Sequence, residues 1–345
     1  MEERKFASLD TTNKLLLLLL LPVLVMILKE LSSIFVPLII ACFFALLFMP
    51  MLRWTTQKNI PRWIALVVIF LIFFVVIRSM LWVLQLASQE IRSTDVQTWQ
   101  TIIASLKDFV LKLALLVGVS EDSLIEHFQE TDLVTTIYDN AGNLFNAVRK
   151  TFSIVFLSIF FMVLLIASSF NGQRLLQVLL LKDKTSAMRT YITIEKSISK
   201  FIFVKVLISL VTGISFSVLC YYFDVKFPIF WGVLAFVLNF IQMIGSIIST
   251  ALMCLFAISQ ISSMSIIVLF IIIAIGLQLL FGSVLEPIFM GKTFSINTVT
   301  IIVMLFFWGY VWNIPGMILA VPLTVMVKTI LEQFGKTRAI AELMS

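Results

Sequence analysis

Long apolar stretches, separated by short polar segments, determine what this chain can fold into. A helix needs about 20 apolar residues to cross the hydrocarbon core of a bilayer. Six stretches approach or exceed that length, at roughly 12–28, 32–52, 62–85, 151–170, 201–223 and 264–283. Two longer stretches, 228–258 and 299–331, are interrupted near their middle. The pattern predicts an all-α polytopic membrane protein with about six full transmembrane helices and two broken or re-entrant helical hairpins.

The composition agrees with this prediction. The chain has 345 residues, of which 61% are hydrophobic and only 13% are charged, against roughly 25% charged residues in soluble domains. So much apolar surface cannot be buried in a water-soluble core of this size. The first stretch lacks a small-residue cleavage site and is followed at once by another apolar stretch, so we interpret it as a retained span.

The charges of the loops predict the orientation. Segment 53–62 carries three basic residues and no acid, and 171–200 carries six basic residues against two acids. Positive loops favour the cytoplasm. Segment 86–150 carries nine acids against five bases and is placed outside. Three spans lead from an inside N-terminus to this acidic segment, so charge and parity both predict that the two termini are cytoplasmic.

These observations divide the chain into five regions. The acidic region shows helical spacing of apolar residues and is predicted to form amphipathic helices on the outer membrane face, with a small folded domain as the alternative. The regions are 1–85 with three N-terminal transmembrane helices, 86–150 as the extracytoplasmic helical region, 151–200 with the fourth span and a basic cytoplasmic helix, 201–335 as a transport unit, and 336–345 as a cytoplasmic tail.

The two interrupted stretches carry the strongest functional signal. A single helix over 228–258 would be about 46 Å long at 1.5 Å per residue, well beyond a core of about 30 Å. Its middle reads NFIQMIGS, and the middle of 299–331 reads NIPG. Proline removes a backbone donor and glycine permits positive φ. We expect a hairpin at each break; a long, tilted and kinked helix is the alternative for both.

Two such hairpins, one entering from each side, would form the inverted pair seen in many secondary transporters, with the substrate site at the broken helices. The polar and small residues of the breaks would then form the walls and hinges of a substrate site. The alternative is a purely structural role, in which these residues form interhelical hydrogen bonds and allow close packing. The residues are Asn239, Gln242, Gly245, Ser246, Asn313, Pro315 and Gly316.

Among the ionisable residues in or beside the apolar stretches, Lys205 and Glu286 bear most directly on function. Lys205 is one turn inside the fifth span, and the expectation is that its ammonium snorkels to the cytoplasmic interface. Glu286 precedes a proline and follows the 264–283 span. A carboxylate beside a helix break could take up a proton or bind a sodium ion, which makes Glu286 the candidate for ion coupling. It could equally pair with Lys292 in a loop.

The same residues resemble a known family. Segments 196–250 and 285–333 are similar to the central and C-terminal blocks of the autoinducer-2 exporter (AI-2E) family, including WGVLAFVLNFIQMIGS, LEP, FWG and GMILAVPLT. The resemblance implies export of a small polar quorum-sensing furanone, or sodium(lithium)/proton antiport as in some relatives. It also implies a homo-oligomer, a pentamer, in the bacterial inner membrane. Gln242 stands where the family pattern has proline, and Asn313-Ile314 replaces a pair that more often contains glycine.

Other classes of function lack their motifs. The sequence has no H-E-x-x-H, no G-x-S-x-G and no Walker A motif, and its single histidine, His127, lies in the acidic outer region. Zinc protease, serine hydrolase and ATP-driven pump chemistry therefore have no basis here. We expect no enzyme activity, no cofactor, no metal and no nucleic-acid partner. The expected partners are membrane lipids, a small polar solute or monovalent cation, and further copies of the chain. A channel-forming oligomer is the remaining alternative.

Overall fold

The structure is a computed structural model that describes residues 19–20, 22–95, 97–105, 108, 153–167, 184–291, 296–334 and 337–344. Every regular element in these ranges is a helix, which confirms the predicted all-α class. Five helices are long and apolar enough to cross a membrane by length and composition: Ser32–Gln57, Trp63–Arg92, Met188–Tyr222, Met264–Met290 and Thr298–Leu331.

We number the helices of the described residues in chain order. A seven-residue π-helical segment, Leu279–Leu285, connects α7 to α8. The helices are α1 (Ser32–Gln57), α2 (Arg62–Arg92), α3 (Ser153–Ala167), α4 (Lys184–Tyr222), α5 (Pro228–Leu238), α6 (Ile244–Ile258), α7 (Met264–Gln278), α8 (Glu286–Met290), α9 (Thr298–Leu331) and α10 (Arg338–Leu343).

Several helix boundaries in the structure differ from the predicted boundaries. Helix α2 continues seven residues past position 85, to Arg92, and 97–105 are also helical. The rest of the predicted outer region, 109–152, lies outside the described residues. The predicted basic cytoplasmic helix and the fifth span are one helix, because α4 runs for 39 residues without a break. The predicted tail contains a helix, α10, which packs on α9.

The N-terminal stretches join differently from the prediction. Residues 22–30 are helical and only Leu31 separates them from α1. Helical hydrogen bonds lead into and out of this residue, from Leu31 N to Ile27 O and from Phe35 N to Leu31 O, both 3.0 Å. The expected loop between the first two spans is thus a bend of a single residue. Residues 1–18 lie outside the described residues, and the three spans of 1–85 stay a prediction.

The chain divides into two compact units. One comprises 1–47, 154–196 and 295–345, and the other comprises 48–153 and 197–294. The second unit has an aromatic core, in which Trp99 stacks on Phe227 with ring centroids 5.1 Å apart and Trp231 contacts Phe256 at the same distance. This core holds α5 between α2 and α6.

The stretch 228–258, the first hairpin, is broken where the sequence predicts. Helices α5 and α6 have 11 and 15 residues, so they are about 16 and 22 Å long and neither spans a bilayer core. Met243 has φ 61° and ends the break. A Cβ on Gly245 would lie 1.8 Å from the carbonyl oxygen of Leu238. Since the two backbones touch and α5 packs on α6, the chain turns back on itself.

The stretch 298–331, the second hairpin, has the same construction. Helical conformation is lost at Trp312 (φ −130°) and Asn313 (φ 53°), just before the predicted proline and glycine. A Cβ on Gly316 would lie 1.9 Å from the carbonyl oxygen of Trp308. Residues eight apart in a continuous helix are about 12 Å apart, so the two halves of α9 fold against each other. Although α9 has the length of a span, its geometry is that of a hairpin.

The close backbone contacts leave no room for a side chain at the two hairpin glycines, Gly245 and Gly316. Gly245→Ala and Gly316→Ala should each lower the free energy of unfolding by about 1–3 kcal/mol, because the added methyl must displace backbone atoms. Thermal unfolding of the detergent-purified protein measures this loss.

Gly276→Ala is the matched control, since a Cβ at Gly276 meets no atom within 4 Å. Its unfolding temperature should stay the same or rise slightly, because alanine favours a helix over glycine. Equal unfolding temperatures for the alanine variants at positions 245 and 276 would contradict the contact.

Candidate functional site

A buried lysine lies at the centre of the second unit. Lys205 projects from α4, where its neighbours along the chain, Val204 and Val206, are apolar. Its residue surface is only 2% exposed. A charged ammonium removed from water is tolerated only where acceptors surround it. Its partners therefore identify the site.

Two oxygens from distant parts of the chain meet the Lys205 ammonium. Nζ donates to Oε1 of Glu286 at 2.8 Å, and to Oε1 of Gln242 also at 2.8 Å. The side chain of Glu286 is 4% exposed. The carboxylate neutralises the ammonium and the amide supplies a second acceptor, so the three residues form one polar cluster, named here the ion-pair cluster.

A π-helical segment presents the carboxylate. Leu279–Leu285 adopts i→i+5 geometry, and Glu286 is the first residue of the short helix that follows. Segments of this kind are rare and occur frequently at functional sites, because they change the side-chain register within a helix. The sequence accommodates the wider turn with Gly282 and Ser283, and Pro287 follows directly after Glu286.

The break of the first hairpin contacts α4 a second time. Asn239 is 3% exposed, and its Nδ2 donates to Oγ of Ser209 at 3.0 Å. Ser209 lies four residues after Lys205, on the same face of α4. The two amides of NFIQMIGS thus both bind this face, Asn239 to a hydroxyl and Gln242 to the ammonium. Both contacts hold the tip of the hairpin, while its helices pack on α2 and α7.

The other predicted site residues have different positions. Gly245 is buried where the hairpin closes. Ser246 Oγ donates to the carbonyl oxygen of Met243 at 2.9 Å, which is a local contact within the turn. The exposed Asn313, the half-buried Pro315 and the buried Gly316 form the break of the second hairpin and belong to the other compact unit. The structure thus brings Gln242 and Glu286 together directly, and Asn239 joins them through α4.

One expectation was wrong. Lys205 does not snorkel, because its ammonium lies in the interior of its unit and pairs with Glu286. The alternative partner proposed for Glu286, Lys292, lies outside the described residues. A signal for Lys205 was present in the sequence: Lys205, Ser209 and Thr212 recur at helical spacing in the mainly apolar second half of α4, and all three are buried. A polar stripe at spacing i, i+4, i+7 indicates one buried face.

The Lys205 ammonium fills the cation position of the ion-pair cluster. Glu286 and Gln242 direct two oxygens at one point, which the lysine ammonium occupies. A proton on the carboxylate, or a monovalent cation between the oxygens, would compete with this ammonium. No group of three or more histidine, cysteine or acidic residues that could hold a metal ion occurs within the described ranges.

Long apolar helices, two apolar stretches broken at mid-length and a buried ion pair beside one break define the general class: a multi-pass membrane protein of the transporter type. The model of the AI-2E family transporters matches residues 15–336. The chain therefore belongs to the AI-2E transporter family.

Two relatives match nearly the whole chain, and a third matches part of it. The chain is 28% identical to the AI-2 transport protein TqsA of Escherichia coli (strain K12), with 97% of each chain covered. A relative from Haemophilus influenzae is 24% identical, with 92% of this chain and 91% of its own length covered. One from Borreliella burgdorferi is 38% identical over 141 residues, 41% of this chain and 39% of its own. All three are named as transport proteins, and none is named as an enzyme.

Loss of the lysine should be far more damaging than loss of the whole pair. Lys205→Met leaves a carboxylate buried without its counter-ion, which costs about 3–5 kcal/mol of stability. The double change Lys205→Met with Glu286→Leu should recover most of this loss, because an apolar pair of similar volume replaces both charges. Thermal unfolding of the single and double variants measures the coupling.

The matched control is the pair Arg338–Glu342 in α10, whose side chains are 71% and 68% exposed. Exposed pairs contribute about 0–1 kcal/mol, so Arg338→Gln should change the unfolding temperature little. A Lys205→Met variant as stable as Arg338→Gln would contradict the buried pair.

Proposed function

We propose that this protein is a secondary active transporter that exports a small polar molecule, similar to autoinducer-2, across the bacterial inner membrane by alternating access. The observation that carries the proposal is the ion-pair cluster, which joins the break of the first hairpin to a π-helical segment and to the polar face of α4. The name of the relative TqsA supports the substrate class.

The proposed arrangement in the membrane combines the orientation expected from the loop charges with the two hairpins. The first would enter from outside and the second from the cytoplasm, with both termini cytoplasmic. Irregular backbone at membrane depth persists only where protein or a watery cavity surrounds it. The break of the first hairpin, with Asn239 and Gln242, therefore suits the wall of a polar route, and the break of the second hairpin presents Asn313 in its own unit. A pentamer embedded in membrane lipids is the assembly that the family resemblance implies.

Glu286 is the residue for ion coupling. A proton or cation that binds its carboxylate removes the attraction that holds the Lys205 ammonium. The ammonium then interacts less strongly with the Glu286–Gln242 oxygens, and the hairpin tip loses one of its two polar contacts with α4. Ion binding would in this way change how firmly the hairpin is held. A hydroxyl group of a small solute would then replace the lost hydrogen bond at Gln242, while Asn239 keeps its contact with Ser209.

Sodium(lithium)/proton antiport is the second candidate function. A specific observation favours it: Glu286 and Gln242 present oxygens to a point already occupied by a monovalent ammonium. A channel-forming oligomer would use the same breaks to line a pore. Saturable, gradient-driven flux distinguishes the transporters from a channel, whose current does not saturate in this way and follows the voltage.

Flux into proteoliposomes tests the proposal. The purified protein is reconstituted with an imposed pH or sodium gradient and offered the furanone signal or alkali cations. Asn239→Leu should reduce saturable signal flux about tenfold, the factor that loss of roughly 1.4 kcal/mol of interaction produces. Ser259→Ala is the control, because its hydroxyl donates to the carbonyl oxygen of Phe256 at the end of α6, away from the break, and its flux should stay within about twofold of the parent.

The Glu286→Gln variant tests ion coupling separately from solute binding. This variant keeps an oxygen acceptor for Lys205 but cannot ionise, so the flux should no longer depend on pH. Unchanged pH dependence would exclude Glu286 as the coupling residue. Cation–proton exchange without signal flux would favour the antiporter and overturn the export proposal.

A further inference from the structure

The break of the second hairpin is held by a side chain that directly precedes its turn. Trp312 is 3% exposed and has left helical conformation. Its indole Nε1 donates to the carbonyl oxygen of Leu28 at 2.8 Å. The two residues are 284 positions apart and belong to the same compact unit. The N-terminal helical segment is therefore bound directly to the point where the hairpin reverses.

The carbonyl of Leu28 is suited to this role. Residues 22–30 end at the bend at Leu31. The last four carbonyls of a helix have no partner within that helix. Leu31 N binds Ile27 O at 3.0 Å, and the next carbonyl, that of Leu28, accepts the Trp312 indole. The bend thus supplies the acceptor that the hairpin uses.

A second contact lies one residue further along. The Lys29 ammonium lies 3.9 Å from the centroid of the Tyr310 ring, which is cation–π distance. Lys29 follows Leu28, and Tyr310 precedes Trp312 by two residues. Two adjacent residues of the N-terminal segment therefore bind two residues of the hairpin's first half.

We propose that Leu28 and Lys29 form a latch that positions the break of the second hairpin. Trp312 directly precedes Asn313, whose φ of 53° sets the reversal. Fixing the indole fixes the backbone that orients Asn313 and Pro315. Trp312 and Lys29 are thus positioning residues, and they act on transport through the hairpin. The transport effect rests on the proposed function; the latch itself is a property of the structure.

Trp308 provides a matched comparison within the same hairpin. Its ring contacts that of Trp312, with centroids 5.0 Å apart. Its Nε1 is buried without a hydrogen-bond partner among the described residues. Replacing either tryptophan by phenylalanine removes an indole N–H from the same aromatic pair. Only Trp312→Phe removes a hydrogen bond to Leu28.

Hydrogen exchange of the purified protein tests the latch without any assay of transport. Trp312→Phe should increase amide exchange in 310–316 about five- to tenfold, the factor expected for one hydrogen bond. Trp308→Phe should increase it less than about twofold. Lys29→Gln should give a smaller increase than Trp312→Phe, and Lys29→Arg should restore protection because it keeps the cation over the ring.

Equal exchange in the phenylalanine variants at positions 308 and 312 overturns the latch. Flux in proteoliposomes then tests its consequence: Trp312→Phe should change the maximal rate, while the half-saturating concentration stays nearly constant. Faster exchange without any change in flux overturns the positioning role, and parent protein without saturable flux overturns the proposed function instead.

Discussion

The fold of the second unit depends on the burial of Lys205 with Glu286. Both side chains are almost fully removed from water, and a single charge in that position is far less stable than a matched pair. The pair fixes the register of α4 against the α7–α8 junction. It also requires a second acceptor near the ammonium, which Gln242 supplies. The position of the hairpin tip follows from this requirement.

Both hairpins solve the same packing problem in the same way. A sharp reversal brings the carbonyl before the break against the backbone after it, and only glycine leaves room for that contact. Leu238 faces Gly245 in one hairpin, and Trp308 faces Gly316 in the other. The tips are then held by different means. Amides bind the polar face of α4 in the first, whereas an indole binds a free helix-end carbonyl in the second.

The contacts that hold the two hairpin tips differ in how they would respond to ions. Under the proposed coupling, a proton or cation at the Glu286 carboxylate would weaken the hold of the ion-pair cluster on the first hairpin. The hydrogen bond of the latch joins an indole to a backbone carbonyl, and neither of these two groups titrates. An ion-sensitive contact at one break and an ion-insensitive one at the other would let a single coupling ion act on one hairpin selectively.

Much of this architecture can be predicted from the sequence. Apolar length identifies the helices, and NFIQMIGS and NIPG locate both breaks within a few residues, because polar and helix-breaking residues are costly in such stretches. The partner of Lys205 could not be predicted, since Glu286 is 81 residues away and the choice depends on tertiary register. The π-helical segment also escaped prediction, because Gly282 and Ser283 fit an ordinary helix equally well. The latch requires a bend of a single residue at Leu31; the apolar pattern locates an interruption at 29–31 but does not show that the helix continues through it with one bend.

We propose that the stretch 228–258 leaves the membrane on the side from which it enters. Single cysteines at Tyr222 and Ser262, both exposed and on either side of the first hairpin, test this directly. Cys42, Cys220 and Cys254 are first replaced by alanine. A membrane-impermeant maleimide is then applied from one side and afterwards from the other. If the first hairpin is re-entrant, Tyr222→Cys and Ser262→Cys will be labelled from the same side. Labelling from opposite sides would show a kinked span and contradict the re-entrant hairpin.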